Sequence, residues 1–264
     1  MKKEGGLNVL TVNATTEFHA QFGEDRVLWN LFRQRNHGYF VEVGAYDGRS
    51  LSNTCFLESI GWKGMLVEPI APLARLAAQS RPGSLVFAAA CGARDEPKPV
   101  TFTIANNVPV LSFLEADEEH VERCKREGAE LVEIKVTVRS LDSLLRSARE
   151  RQMKTMHANP AGAAAGGAAQ HVGPWKPGYG WMIDVVSIDT EGAELAVLDG
   201  FDLDRFRPRI LILENDRPAG AAIEPYLDRR GYRRFHRQVI NDFYIRKDDP
   251  AHDLDFDACN EKAD

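Results

Sequence analysis

The sequence predicts an α/β chain built on a doubly wound, mostly parallel sheet that closes on an antiparallel C-terminal edge. Three observations carry that prediction. Between Tyr39 and Ala90, short apolar runs alternate with segments of helical periodicity; the alternation resumes between Trp181 and Glu214; and Gly231 to Lys247 reads as two strand-like runs around a turn near Val239 to Asn241. Strands separated by helices pair in parallel through right-handed crossovers, whereas runs joined by a tight turn pair antiparallel.

The elements follow in order. A helix is predicted from Glu24 to Arg35, where Val27, Leu28, Leu31 and Phe32 recur at helical spacing before Gly38 stops it. Tyr39 to Val43 is a buried strand running into a glycine-bearing turn, and Leu51 to Ile60 a helix closed by Gly61. The unit repeats as strand Gly64 to Val67 and a helix over Leu73 to Ala78 opened by Pro72, followed by a third strand from Leu85 to Ala90. Pro99 to Ala105 and Val132 to Ser140 alternate like half-exposed strands, with a surface helix over the charged Glu115 to Glu130 between them. Ser140 to Glu150 is helical. His157 to Gly180 is biased to alanine, glycine and proline and lacks periodicity, which predicts a flexible insertion, either a surface excursion or a lid. A strand ending at Asp189, a helix with Leu195 and Leu198 inward, a strand ending at Glu214 and Asn215, and a helix over Ala221 to Arg230 complete the pattern. One domain over residues 1–264 is expected, with its core at about 21–247, the insertion at 157–180 and a frayed acidic tail at 248–264.

Lysine and arginine number 33 against 39 aspartates and glutamates, a formal charge of −6. That balance argues against a broad nucleic-acid footprint. No stretch approaches the roughly 18 apolar residues of a membrane span. The start, MKKEGGLNVLTVN, is too weak for a signal-peptide core. Cys55, Cys91, Cys124 and Cys259 stand far apart without a C-x-x-C pair, so free thiols, a reducing compartment and a cytoplasmic location are expected.

Ligands of open parallel sheets lie at the carboxyl ends of the strands, near the point where strand order reverses. Four acids fall at four such ends: Glu42, Glu68, Asp189 and Glu214. The first strand runs into E-V-G-A-Y-D-G, Glu42 to Gly48, where Gly44 lets the backbone approach a ligand and Gly48 relieves crowding before the next helix. Glu42 and Asp47 would repel a pyrophosphate, so a cationic ligand or a neutral ribose suits this turn better than a dinucleotide. Glu68 has the chemistry to accept two hydrogen bonds from a ribose diol, the alternative being that it caps the helix after Pro69.

The block from Glu42 to Gly48, followed by Ser52 to Thr54, Leu57 and Glu58, Gly61 and Trp62, and Glu68 and Pro69, resembles the FkbM family of S-adenosylmethionine-dependent methyltransferases. The second block, I-D-T-E-G-A-E at Ile188 to Glu194 followed by Val197 to Gly200, is similar to the same family, as is Q-F-G-E-D at Gln21 to Asp25. The resemblance implies a class I methyltransferase sheet with the donor over the first strand. It implies that Glu42, Gly44, Ala45, Asp47 and Gly48 surround the methionine end, that Asn53 and Thr54 lie near its carboxylate, that Glu68 holds the ribose, and that Ala90 and Cys91 border the adenine. An O-methyltransferase of a sugar, glycan or secondary-metabolite hydroxyl is the expected activity, with N-methylation of an amine or an inactive binding domain as alternatives.

Methylating an alcohol requires aligned reactants and help in losing its proton. Asp189 and Glu191 are the candidates for that role, although D-T-E-G also reads as a helix start capped by Asp189 or Thr190. Asp189, Glu214 and Asn215, on adjacent strand ends, have the oxygen ligands for Mg²⁺ or another divalent cation, an arrangement that resembles that of catechol-type O-methyltransferases. The histidines, including His157 and His171 around the insertion, show no metal-ligand spacing. Arg229, Arg230, Arg233, Arg234 and Arg237 form a basic cluster, read as a solvated edge or as a docking patch for an acidic acceptor.

Overall fold

The computed structural model describes residues 17–32, 35–114, 118–158, 175–176, 180–216 and 218–250. The first half comprises α1 (Glu24–Phe32), β1 (Tyr39–Val43), α2 (Cys55–Ser59), β2 (Lys63–Val67), α3 (Ala71–Ser80), β3 (Ser84–Phe87), β4 (Ala90–Cys91), β5 (Val100–Asn106), α4 (Glu118–Arg126), β6 (Glu130–Val136) and β7 (Val138–Arg139). The second comprises α5 (Leu141–Ala158), β8 (Trp175–Lys176), β9 (Gly180–Trp181), β10 (Val185–Ile188), α6 (Glu194–Asp199), α7 (Leu203–Phe206), β11 (Ile210–Glu214), α8 (Ile223–Asp228), β12 (Tyr232–Gln238) and β13 (Asn241–Arg246).

Seven strands form the main sheet in the order β12-β13-β11-β10-β1-β2-β3. The pairs from β11 through β3 are parallel, and β13 runs antiparallel between β11 and β12. This is a mixed α/β architecture consistent with an α/β methyltransferase fold. Both faces are covered, so the strands read as apolar runs whose side chains divide by parity. Val41, Val43, Met65, Val67, Val186, Ile188, Leu211 and Leu213 face a core shared with Leu141, Leu144, Leu145, Val197 and Leu198. Phe40, Leu66, Val185, Ile210 and Ile212 face the other core, with Val27, Leu28, Phe56, Leu57 and Trp62. No helix among the described residues is long and apolar enough to cross a membrane.

Several boundaries differ from the sequence pattern. The helix expected from Leu51 begins at Cys55, because Ser52, Asn53 and Thr54 turn inward to the carboxylate of Glu42. The third strand stops at Phe87; Ala90 and Cys91 pair instead with Val138 and Arg139 in a separate two-stranded sheet. The expected surface helix ends at Arg126 rather than Glu130, its described part being Glu118–Arg126, and Glu130 opens β6, which pairs antiparallel with β5. Helix α5 continues to Ala158, past the predicted start of the insertion, whose far end forms the short pair Trp175–Lys176 with Gly180–Trp181. Residues 159–174, 177–179 and 251–264 lie outside the described residues, and with them His171, Cys259 and most of the expected tail. Cys55, Cys91 and Cys124 are free thiols, as expected.

The first crossover is held by an ionic knot. Arg81, 2% exposed, donates to Glu58 Oε2 at 2.9 Å, to the carbonyl of Gly48 at 2.8 Å and to the carbonyl of Thr54 at 3.2 Å, and stands 3.6 Å from Glu42 Oε2. Removing one partner of a buried ion pair leaves the other charge stranded, typically at about 3–5 kcal/mol. Arg81→Met is therefore expected to lower the unfolding free energy by about that amount, measured by urea denaturation. Arg81→Lys should recover only part, since an ammonium cannot reproduce the planar guanidinium fork.

Candidate functional site

The chain leaves β1 outward to β2 and β3, then returns to β10 on the other side of β1, so the strand order reverses between β1 and β10. Gly44 sits at that reversal with φ +86°, and a Cβ there would lie 1.8 Å from the carbonyl oxygen of Asp189. Only glycine permits so close a backbone approach. Above this point lies a cavity of about 260 Å³. One wall is Glu42 to Tyr46 with Ser50 to Asn53, and a second is Val67 to Ile70 with Ala89 to Cys91. The third is acidic and comprises Asp189, Glu191, Glu214 and Asp216. Phe102 of β5, with Pro109 to Ser112, Leu114 and Arg123 from the excursion between β5 and β6, forms its cover.

Seven of the ten residues expected around the donor line this cavity: Glu42, Gly44, Ala45, Asn53, Glu68, Ala90 and Cys91. Asp47, Gly48 and Thr54 are not among its lining residues. Asp47 Oδ1 accepts from the backbone N–H groups of Arg49 and Ser50, and Thr54 Oγ1 donates to Glu42 Oε2 at 2.7 Å. A Cβ on Gly48 would meet the Cα of Ala77 at 2.9 Å, so this glycine serves the packing of α3. Glu42 spends its oxygens on Ser52, Thr54 and the N–H of Asn53, which fixes the loop in place.

Glu68 is 4% exposed. Its oxygens accept from the N–H of Ile70 at 2.8 Å and of Tyr46 at 2.9 Å. Burial pushes its carboxyl up to about 7, against the opposing pull of those two hydrogen bonds. Each oxygen keeps a further lone pair for a ligand hydroxyl. The expected cap after Pro69 is thus half right, because the same carboxylate serves the helix start and faces the cavity. Cys91 stays a neutral thiol, since burial pushes it up to about 12.

The D-T-E-G turn is organised by a residue that the motif reading passed over. Glu194 Oε1 accepts from the N–H and the hydroxyl of Thr190, each at 2.9 Å, and from the N–H of Gly192 at 3.2 Å. Asp189 and Thr190 therefore do not cap the helix, and Ala193 stands at its N-cap. Glu191 adopts φ +56°. One carboxylate oxygen each from Asp189, Glu191 and Glu214 lies within 4.8 Å of the others, a spacing suited to a hard cation. Asn215, the third ligand expected from the sequence, does not line this cavity, and its amide donates to Asp242 Oδ2 at 2.6 Å.

Counter-charge reaches the acids from α4. Arg123 lies 3.3 Å from Asp216 and 3.9 Å from Glu191, and His120 Nδ1 lies 3.7 Å from Glu191. His120 is buried, its Nε2 2.9 Å from the carbonyl of Leu111. Helix α4 is thus a charged segment with one functional face, which its composition did not reveal. Within the basic edge cluster, Arg234 and Arg237 pair with the buried Asp242. Of the six non-glycine residues with positive φ among the described residues, Tyr46, Leu51 and Glu191 line the cavity. Backbone strain of this kind concentrates at functional sites.

Residues 182–234 match the family model of the methyltransferase FkbM domain, which supports an FkbM family methyltransferase. The matched span runs from the approach to β10 into β12 and includes Asp189, Glu191 and Glu214; the Glu42 to Pro69 block lies outside it. No curated protein and no solved structure matches the chain.

The carboxyl of Glu68 titrates at about 7 in the fold against an ordinary 4.5. Between those values the folded chain holds a proton that the unfolded chain has lost, so stability falls as pH rises through the window, by about 3 kcal/mol in total. Glu68→Gln is expected to flatten that part of the pH profile. Urea unfolding from pH 4.5 to 7.5 checks it, and an unchanged slope would rule out Glu68 as its source.

Proposed function

We propose that the chain is an S-adenosylmethionine-dependent O-methyltransferase that acts on a hydroxyl, with the cavity at the β1–β10 reversal as its donor site. The observation that carries the reading is the pairing of a buried carboxylate, Glu68, with the glycine cradle of Gly44 at one reversal point, beside the acids of the FkbM-matched segment. The sheet order, with antiparallel β13 between β11 and β12, supports the class I form of the methyltransferase fold.

The residues present fit the donor. Glu68 retains acceptor capacity for a ribose diol, Gly44 lets the turn after β1 pass close against the backbone of Asp189 beside the cavity, and Ala90 with the neutral thiol of Cys91 offers an apolar border for an adenine. Asn53 donates its amide to Ser187 Oγ at 3.0 Å, which leaves its carbonyl oxygen for the ligand. Glu42, Asp47, Gly48 and Thr54 act on the same site indirectly, by holding the loop that lines it. When bound, the donor supplies the methyl group. Asp189 and Glu191 are the proposed acceptors of the hydroxyl proton, and Arg123 offsets part of the charge gathered around Glu191. A divalent cation held by Asp189, Glu191 and Glu214 is a second reading, favoured by the convergence of their oxygens.

S-adenosylmethionine is expected to raise the melting temperature, because a ligand selective for the native state stabilises it by mass action. By calorimetry Glu68→Ala should weaken donor binding about tenfold or more, as loss of hydrogen bonds to a charged acceptor does. Undiminished affinity in the folded variant would remove the ribose assignment.

Asp189→Asn keeps size but loses the charge a base needs, so methyl transfer from radiolabelled donor should fall about 100-fold. Activity lost to EDTA and restored by Mg²⁺, with equal sensitivity to Glu214→Gln, would establish the cation. Chelator-resistant transfer would leave the base alone. Donor binding without transfer to either hydroxyl or amine acceptors would favour a binding domain.

A further inference from the structure

One wall of the cavity is acidic, whereas its mouth presents an apolar patch beside the exposed Gln21, Ser50 and Asp216, and that patch carries two penalties. Leu51 and Val110 line it with 44% and 37% exposure, and Val239, next to the lining residue Ile240, is 59% exposed. Leu51 and Val239 also hold φ of +60° and +54°. That left-handed conformation costs an L-residue about 1–2 kcal/mol and suits a β-branched valine worst. Asparagine at either position would relieve both the strain and the apolar exposure.

The mouth is also firmly built. The carbonyl of Phe22, another lining residue, accepts from Gln238 Nε2 at 2.6 Å, and its N–H donates to Glu24 Oε2 at 3.0 Å. Glu24 Oε1 accepts in turn from Asn241 Nδ2 at 2.7 Å. The hairpin tip with Val239 and Ile240 is thereby tied to the turn with Phe22.

Charge says what lies there. With the donor at Glu68, Ala90 and Cys91, the reacting group of the acceptor lies toward Asp189 and Glu191, and the rest of the acceptor rests on the mouth. Arg123, the one cationic side chain among the described lining residues, is turned to Asp216 and Glu191. Among the described lining residues no unopposed positive charge is left for a phosphate or carboxylate. We propose that the acceptor is an alcohol on an apolar body, its hydroxyl directed to Asp189 and Glu191 and its body lying on Phe22, Leu51, Val110 and Ile240. This inference rests on the methyltransferase reading of the cavity.

The test uses the full chain with saturating S-adenosylhomocysteine, the fluorescent alcohol 2-naphthol as probe and methyl glucoside as polar control. Wild type is expected to bind 2-naphthol saturably and about tenfold or more tighter than the glucoside, as apolar burial requires. Leu51→Asn and Val239→Asn should raise the melting temperature by relieving the backbone, yet weaken 2-naphthol about tenfold. Val110→Asp should weaken it similarly, and Val110→Leu should restore it.

Equal or tighter glucoside binding, no saturable 2-naphthol binding, or 2-naphthol affinity unchanged in all three polar variants would overturn the proposal. So would a dimer, seen by sedimentation, that 2-naphthol dissociates, since the mouth would then belong to a second copy. Mouth-dependent 2-naphthol binding without any S-adenosylhomocysteine binding would keep the apolar mouth and sink the methyltransferase reading. Donor binding with glucoside preference would do the reverse.

Discussion

The carboxylate of Glu42 is the constraint from which the site is built. It stands on the central strand, on a face whose neighbours Phe40, Leu66 and Val185 are apolar and fully buried. A charge there is tolerable only if its oxygens are satisfied. Ser52, Asn53 and Thr54 supply the donors, so residues 50–54 fold back as a loop, and α2 begins only at Cys55. Arg81 then closes the knot from the end of α3. One buried acid therefore sets the shape of a cavity wall, the start of a helix and the docking of the first crossover.

A second economy operates across the reversal point. Glu194 satisfies the backbone of the D-T-E-G turn, so Asp189 and Glu191 are released toward the cavity instead of capping the helix. Three carboxylates then converge with Glu214, and like charges at such spacing need compensation. The compensation within the chain comes from α4, which belongs to the excursion between β5 and β6. The cover over the cavity is thus electrostatically coupled to its floor, and the same excursion brings Val110 to the mouth. The acidic wall and the apolar patch at the mouth arise from different elements.

Much of this was legible in the residues. The period of the apolar runs gave the strands β1, β2, β10 and β11, since burial on both faces leaves a continuous apolar signal. The acids at strand ends marked Glu42, Glu68, Asp189 and Glu214 as neighbours of one site, because a parallel sheet gathers its carboxyl ends. The role of each acid was less legible. Glu42 turned to the loop at residues 52–54, the amide of Asn215 turned to Asp242, and Glu191 joined Asp189 and Glu214. A side chain's direction depends on which partner satisfies it, and partners such as Arg81, Glu194 and Asp242 are distant in the sequence or carry no motif.

The sequence by itself determined the alternating α/β order, the antiparallel closing edge, the glycine at the reversal and the acidic character of the site, all of which follow from local period and residue type. Only the tertiary structure decided that His120 is buried beside Glu191, that Arg123 neutralises the acids, and that Phe22, Leu51, Val110 and Ile240 form one apolar mouth. These residues belong to separate elements, and nothing in their local patterns encodes the meeting. It is fixed by the order in which the strands pack and by long-range hydrogen bonds such as Glu24 to Asn241, which exist only once the sheet has closed.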